Sequence, residues 1–422
     1  MDDDIRVPVN KRHDSLKEPL TPTKLHTQAP SLEDSFDEPE TAVFGSDQQQ
    51  KNNDPNLSKP KTTKHKKNPI AWFKGLSRKK KILFISIVVV LLACSGAGAY
   101  ALLNKSKSPT PQAAQATPPP PPPTPPKTTE PSKLSGVEVP LDKNKIPVVG
   151  IMIENSPDAR PQAGIDQAGV VFEAIAEGGI TRFLTLFQEN QPEYVGPVRS
   201  VRPYYLDWVR GFDAPIAHVG GSADALAILR QGGHKDLDQA FNSVAYWRVN
   251  NRYAPHNMYT SLPKLVARAT EKKFVPTNFD SFPRKAEKPS ATPTAKSIDL
   301  NLSGFLYNAH FDYDVASNSY KRSQANKPHV DEKSGQQLSP KVVVACVAQY
   351  KAAYNGVNSA YNSIGSGKVY VFQDGTMTEG TWTKTSGQAQ ITFTDAAGKS
   401  LPLNPGQTWI TFVSGADRVV VK

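Results

Sequence analysis

The sequence predicts an α+β (or α/β) first domain and a β-rich second domain. Both sit behind a single N-terminal transmembrane helix and a disordered cytoplasmic tail. Three observations predict this. Ile82 to Leu103 is a run of 22 residues without a charge, and about 20 such residues span a hydrocarbon core as a helix. Eleven prolines fall between Ser108 and Pro131, six of them consecutive. Beyond them, strand-like and helix-like runs mix up to about Val275, and later runs are nearly all strand-like.

Residues 1–81 are polar and charge-mixed, with no apolar period, and their basic residues cluster at the membrane end. Lys66, Lys67, Lys74, Arg78, Lys79, Lys80 and Lys81 precede the apolar run with no acid among them. The positive-inside rule therefore places the N-terminus in the cytoplasm and the rest outside the cell membrane, with residues 82–103 as a single-pass anchor. Two processing alternatives stay open. Leu91-Leu92-Ala93-Cys94 loosely resembles a lipidation site on Cys94, and Ala97-x-Ala99 resembles a signal-peptidase site. Residues 104–136 read as a proline-rich linker, extended at about 3.1 Å per residue in polyproline II.

In the first domain, residues 137–284, Ile146–Ile153, Val170–Ala176 and Thr181–Gln188 read as strands, the last two joined by Gly178-Gly179. Pro203–Phe212 reads as a helix, with proline in its first turn. Ala214–Val219 is a short strand, Ser222 caps a helix through Arg230, and Ser261–Lys273 is another helix. Residues 285–297 read as a linker or surface insertion. The second domain, 298–422, offers strands at Gly304–Val315, Ser319–Ser323, Lys341–Ala348, Lys368–Gln373, Met377–Lys384, Gln390–Thr394 and Trp409–Val413. Cys346, in an apolar strand, reads as a buried inert thiol.

Polar residues of the first domain gather at element ends, where sites are usually built. They are Arg160, Arg182, Arg199, Arg202, Tyr204, His218, Asp224, His256, Asn257 and Tyr259. Arg199 and Arg202 in GPVRSVRPYYLDW stand just before a helix, where backbone N–H groups also favour an anion. The competing reading pairs both with internal carboxylates such as Glu154, Glu173 or Asp207. Glu173 and Glu177, four apart, would share a face on a helix or a strand and could serve as an acid/base pair on a glycan. His218, His256 and Asp224 lack metal-ligand spacing, so no metal and no cofactor are expected. His310, Asp312 and Asp314 read as a solvated strand face. Arginines beside aromatics would suit nucleic acid, but the extracytoplasmic placement excludes that partner.

The runs PDARPQAGIDQAGVVFEAIAEGGITRFLTLFQ, GPVRSVRPYYLDW, HVGGSADAL and APHNMYTS, and later GKVYVFQDGTMTEGTWTK and DAAGKSLPLNPGQTWITFV, resemble the YerB-like family of bacterial envelope proteins. The resemblance covers most of residues 137–422. It implies an envelope location and a two-domain plan, with no assigned activity and no catalytic residues to carry over. Many relatives look like short-signal lipoproteins, whereas here Cys94 lies inside a longer apolar span behind a long tail. The reading that results is a membrane-anchored envelope protein binding an anionic or glycan component, or a wall-assembly protein, through its first domain. One alternative is a wall-glycan or wall-peptide hydrolase using Glu154, Asp158, Glu173 or Glu177. Another is a scaffold whose polar motifs only lock loops together.

Overall fold

A computed structural model of the chain describes residues 77–103, 127–352 and 358–422. The readings of a disordered tail and of a proline stalk fall mainly on residues outside these. The chain divides into two compact units, Met1–Pro118 and Pro119–Lys422.

In the first unit a helix, α1, runs from Arg78 to Leu103. Its side chains are described as far as Leu92, and the large apolar ones from Ile82 to Leu92 are all exposed. No helix of the described residues is long and apolar enough to cross a membrane.

The second unit is mostly β with few helices, built on one ten-stranded sheet. Its strands in chain order are β1 Val149–Glu154, β2 Val170–Glu177, β3 Ile180–Phe187, β4 Ile216–His218 and β5 Asp236–Asp238 from the first half. The second half supplies β6 Val342–Val347, β7 Gly365–Gln373, β8 Thr376–Lys384, β9 Thr392–Asp395 and β10 Thr408–Val413. The order across the sheet is β9-β8-β7-β6-β10-β2-β3-β1-β4-β5. The two halves join where β10 runs parallel to β2, with Ile410 opposite Phe172. The hairpins β2–β3 and β7–β8 turn at Gly178-Gly179 and Asp374-Gly375, all four at positive φ, the backbone that two-residue hairpin turns require.

Both faces of this sheet are covered, which is why β1 and β10 are buried at every residue, β6 at all but its last, and all three are largely apolar. Alternate residues serve different cores. Phe172, Val344 and Phe412 join Tyr205 and Trp208 of helix α2, Pro203–Arg210. Val171, Val343 and Trp409 face the other way, toward Leu262 and Leu265 of helix α4, Leu262–Glu271, and toward Phe311 and Tyr320 of a second sheet. Helix α3, Ala223–Arg230, is capped by the Ser222 hydroxyl accepting from the Ala225 amide. The second sheet has five strands, ordered Lys327–Pro328, Ser319–Gln324, Ala309–Asp314, Ser297–Leu300 and Val419–Val421. Trp208 welds the halves on the first face, stacking on Phe412 at 4.3 Å and on Phe172 at 5.4 Å between ring centroids.

Several boundaries differ from the sequence expectation. The folded unit begins before residue 137: Thr129–Pro131 pairs with Glu138–Pro140, and Leu134 is in the core. The strand expected over Gly304–Val315 starts only at Ala309, because the Asn308 side chain accepts from the Ser303 and Gly304 amides and closes a turn there. Residues 285–297 follow the surface of the fold and are pinned to it, with Lys285 held by Asp374 and the Thr294 and Ala295 amides bonded to the Gly375 carbonyl.

Candidate functional site

The candidate residues do not converge on one pocket. Arg182 and Arg202 meet at Glu177, which lies at a bulge ending β2. Arg182 donates to Glu177 at 2.9 Å and to the Ser200 carbonyl at 2.8 Å, while Arg202 pairs with the second oxygen of Glu177. Both arginines are almost fully buried. Burial pushes the Glu177 carboxyl up, but the guanidiniums of Arg182 and Arg202 outweigh it and hold it below the usual carboxylate range. Arg202 is thus paired inside the protein with Glu177, which is none of the acids named from sequence.

Arg199 lies in a second group. Its Nε is 3.5 Å from Glu154, whose same oxygen takes His256 Nδ1 at 3.0 Å and the Ser156 hydroxyl at 2.9 Å. Ser156 approaches the same Nδ1, at 3.3 Å. Serine and carboxylate thus share one ring nitrogen, so the histidine cannot relay a proton between them as a catalytic triad does. His218 is elsewhere, bonded to the Gly220 carbonyl and to Asp236 at 3.0 Å. Asn257 accepts from Arg248, the Tyr259 hydroxyl donates to Glu332, and the buried Tyr204 hydroxyl donates to the Ile175 carbonyl. Asp224 stands half-buried in the first turn of α3. Among the described residues no cluster of three or more ligating side chains could hold a metal.

Glu173 does not act with Glu177. It lies on the same face of β2 as Val171, under the second sheet, and is fully buried there. Arg322, equally buried, donates to both of its oxygens at 2.9 and 3.1 Å, and the Trp409 indole donates to one at 2.9 Å. The Arg322 guanidinium also lies 4.8 Å from the Trp409 ring centre and contacts His329 Nδ1. His329 Nε2 meets Gln162 at 2.8 Å, and Gln162 in turn donates to Asn155 at 3.0 Å. The chain ends on Arg160, which donates from Nε to Asn155 and from Nη2 to the carbonyls of Asn155 and Leu306. This polar seam crosses between the two halves of the fold. Sequence reasoning missed Arg322 and His329; the available signal was the alternation of Tyr320, Arg322 and Gln324, which puts an arginine on the inner strand face.

Burial, then the nearby charges of Arg322 and Arg160, hold the His329 imidazole well below its ordinary pKa, so it is neutral in the fold. The unfolded chain takes up a proton near pH 6.5 that the folded chain refuses. Stability should therefore fall as pH drops below about 6.5, by up to ~1.4 kcal/mol per unit from this group. Denaturant titrations across that window should show a flatter slope for His329→Gln than for the parent.

The seam opens at Arg160 into a cleft of about 520 Å³. One wall is the Pro157–Pro161 loop of the first half. The others are Phe305 and Leu306 and the hairpin 324–330 of the second half. Phe305 is 61% and Leu306 43% exposed. Arg160 alone of the expected site residues lines this cleft; burial, and Arg322 behind it, lower its guanidinium to about 10.

The two halves match family models described as the N-terminal domain of a protein of unknown function, DUF3048, over residues 134–275, and its C-terminal domain over 298–410. The chain belongs to this YerB-like, DUF3048 family. It is 31% identical over 274 residues to a Bacillus subtilis (strain 168) protein named "Putative lipoprotein YerB", covering 64% of this chain and 82% of that one. It also superposes on the crystal structure of the Bacillus subtilis YerB protein with a TM-score of 0.63 and 28% identity, covering 69% of this chain and 99% of that chain. The family's two matched segments meet at the Glu173–Arg322 pair and at the Arg160 cleft.

Proposed function

We propose that this family member is a membrane-tethered, extracytoplasmic binding protein that takes an anionic envelope component in the cleft between its two halves. The cleft carries the reading. Its volume falls in the range of small-molecule sites, its walls are largely apolar, and Arg160, Gln324 and Lys327 supply polar groups at its edge. The tether rests on the uncharged run Ile82–Leu103, the basic flank before it and the exposed apolar side chains of α1. The relative's name also points to an envelope protein.

The hydrolase alternative is disfavoured by the state of its carboxylates. Glycoside hydrolysis needs two of them flanking an open cleft. Glu173 is sealed against Arg322, Glu177 is held between two guanidiniums and Glu154 is 3% exposed, which leaves Asp158 as the single open carboxylate of the four. The internal pairing of the first half's polar motifs favours the scaffold reading, but that reading leaves the cleft without a role.

Retention of the Pro119–Lys422 unit on a protein-free envelope extract tests this. Phe305→Asp combined with Leu306→Asp should abolish retention, whereas Arg199→Ala should leave it unchanged. Equal retention of the parent and a folded Phe305/Leu306 variant would remove the cleft as the site.

A further inference from the structure

The ligand's chemistry can be read from which groups in the cleft lack a partner. The inference rests on the cleft being the binding site. Gln324 is 5% exposed, and its Nε2 is buried without an acceptor. Its Oε1 accepts from Arg322 Nη1 at 3.2 Å, which fixes the amide orientation, since a flip would set a donor against a guanidinium. The NH₂ end is thus a held, unfilled donor at a cleft-lining residue. An unfilled buried donor has lost its water without gaining an acceptor, so a ligand oxygen placed there recovers that penalty.

Arg160 adds to this. Its Nε and Nη2 are committed to Asn155 and Leu306, but Nη1 has no acceptor among the described residues. The two fixed nitrogens hold the guanidinium plane, so the third is presented without further ordering. Lys327 is exposed at the same rim, and no acidic residue lines the cleft. His329 also lines it, but both ring nitrogens are engaged with Arg322 and Gln162. The open polar groups are therefore donors, two of them cationic.

The rest of the wall has no use for a polar ligand. Pro157, Pro328, Val330, Phe305 and Leu306 present carbon, and the last two stay unusually exposed for large apolar side chains. A second hollow of about 460 Å³ shares Phe305, Gln324 and Ala325 with the first and adds Asp299, Asn308 and His310. The Asp299 carboxylate disfavours an anion in the second hollow, so the first, which no acidic residue lines, is the one assigned to an anionic ligand.

We propose that the cleft binds an amphiphile bearing one anionic head, a carboxylate or a phosphate, on an alkyl or acyl body of medium length. The head accepts from Arg160 Nη1 and Gln324 Nε2 under the field of Lys327, and the body covers Phe305 and Leu306. Lipid-derived carboxylates and alkyl phosphates share this chemistry, and the head group tells them apart.

The Pro119–Lys422 unit carries its own two cores, all of whose residues lie between positions 134 and 421. It can be titrated calorimetrically with decanoate, decyl phosphate, decanol, acetate and inorganic phosphate, below micellar concentrations. One of the two anionic amphiphiles should bind at least about tenfold tighter than decanol, and neither acetate nor phosphate should saturate. Which amphiphile wins names the head. Arg160→Ala should weaken the preferred one about 10- to 100-fold with decanol unchanged. Should Arg160→Ala misfold, Lys327→Glu offers the same test at low salt without touching an internal bond. The Gln324 side-chain amide resonances should shift with the anionic probe. Decanol binding as tightly as either anion, in parent and variants alike, would overturn the head assignment. Absence of any probe binding, with envelope retention still dependent on Phe305 and Leu306, would overturn the ligand class alone. Absence of both would overturn the cleft itself.

Discussion

Glu173→Ala should destabilise the Pro119–Lys422 unit by about 3–5 kcal/mol, and Arg322→Ala by a similar amount. The reason is the charge left behind rather than the bond lost. Glu173 and Arg322 are both 0% exposed at the side chain, so neither can turn to water when its partner is removed. The orphaned group must change protonation state or draw water into a packed space. Trp409 and Thr181, which also bond Glu173, would lose their acceptor as well. Replacing both at once with Glu173→Met and Arg322→Met should recover most of the loss, because the charges vanish together and the cation's three aromatic neighbours keep an apolar contact. Urea unfolding of the four proteins checks this. A single-variant loss below about 1 kcal/mol would mean that water reaches the pair and that the seam between the halves is not dry. Because the pair joins β2 to the second sheet, the single variants should also loosen the Arg160 cleft.

Local pattern made most elements legible in the sequence. Gly178-Gly179 and Asp374-Gly375 marked hairpins that the fold contains, Ser222 marked a true cap, and largely apolar runs marked β1, β6 and β10. Those runs are apolar on both faces because two layers cover the sheet, which run length alone does not reveal. Pairings between distant segments were not legible. Nothing in the period of Val170–Glu177 says that its neighbour is a strand more than 230 residues later. The same limit governed the site. Motifs that stand together in sequence, such as the two arginines before α2, were dispersed to different carboxylates. The cleft draws instead on Arg160, Phe305 and Gln324, which share no motif. Glu173 and Glu177 could be placed on one strand face from spacing, yet the bulge at Ile175/Glu177 and the second sheet separate their fates.

Removal of Glu177 should convert a closed ion cluster into an anion site. In the parent, Arg182 and Arg202 each spend one nitrogen on Glu177 and another on Ser200. Burial, then the charge of Arg182, already lowers the Arg202 guanidinium, so two cations this close need an anion between them. Glu177→Ala should cost about 2–3 kcal/mol, below the figure for a fully buried pair because Glu177 is 29% exposed. That exposure also gives solvent anions a route in. Inorganic phosphate should then raise the melting temperature of Glu177→Ala progressively with concentration and leave the parent nearly unmoved, since only the variant offers an empty site. Acid should reproduce the same loss in the parent. The Glu177 carboxyl titrates lower in the fold than in the unfolded chain, so its contribution is complete above about pH 5 and disappears as pH falls through the folded value. The Glu177→Ala curve should lack that part of the acid limb. Equal phosphate response in parent and variant would mean that the arginines already bind anions with Glu177 in place, and the ligand site would then have to be sought at their end of the sheet rather than at Arg160.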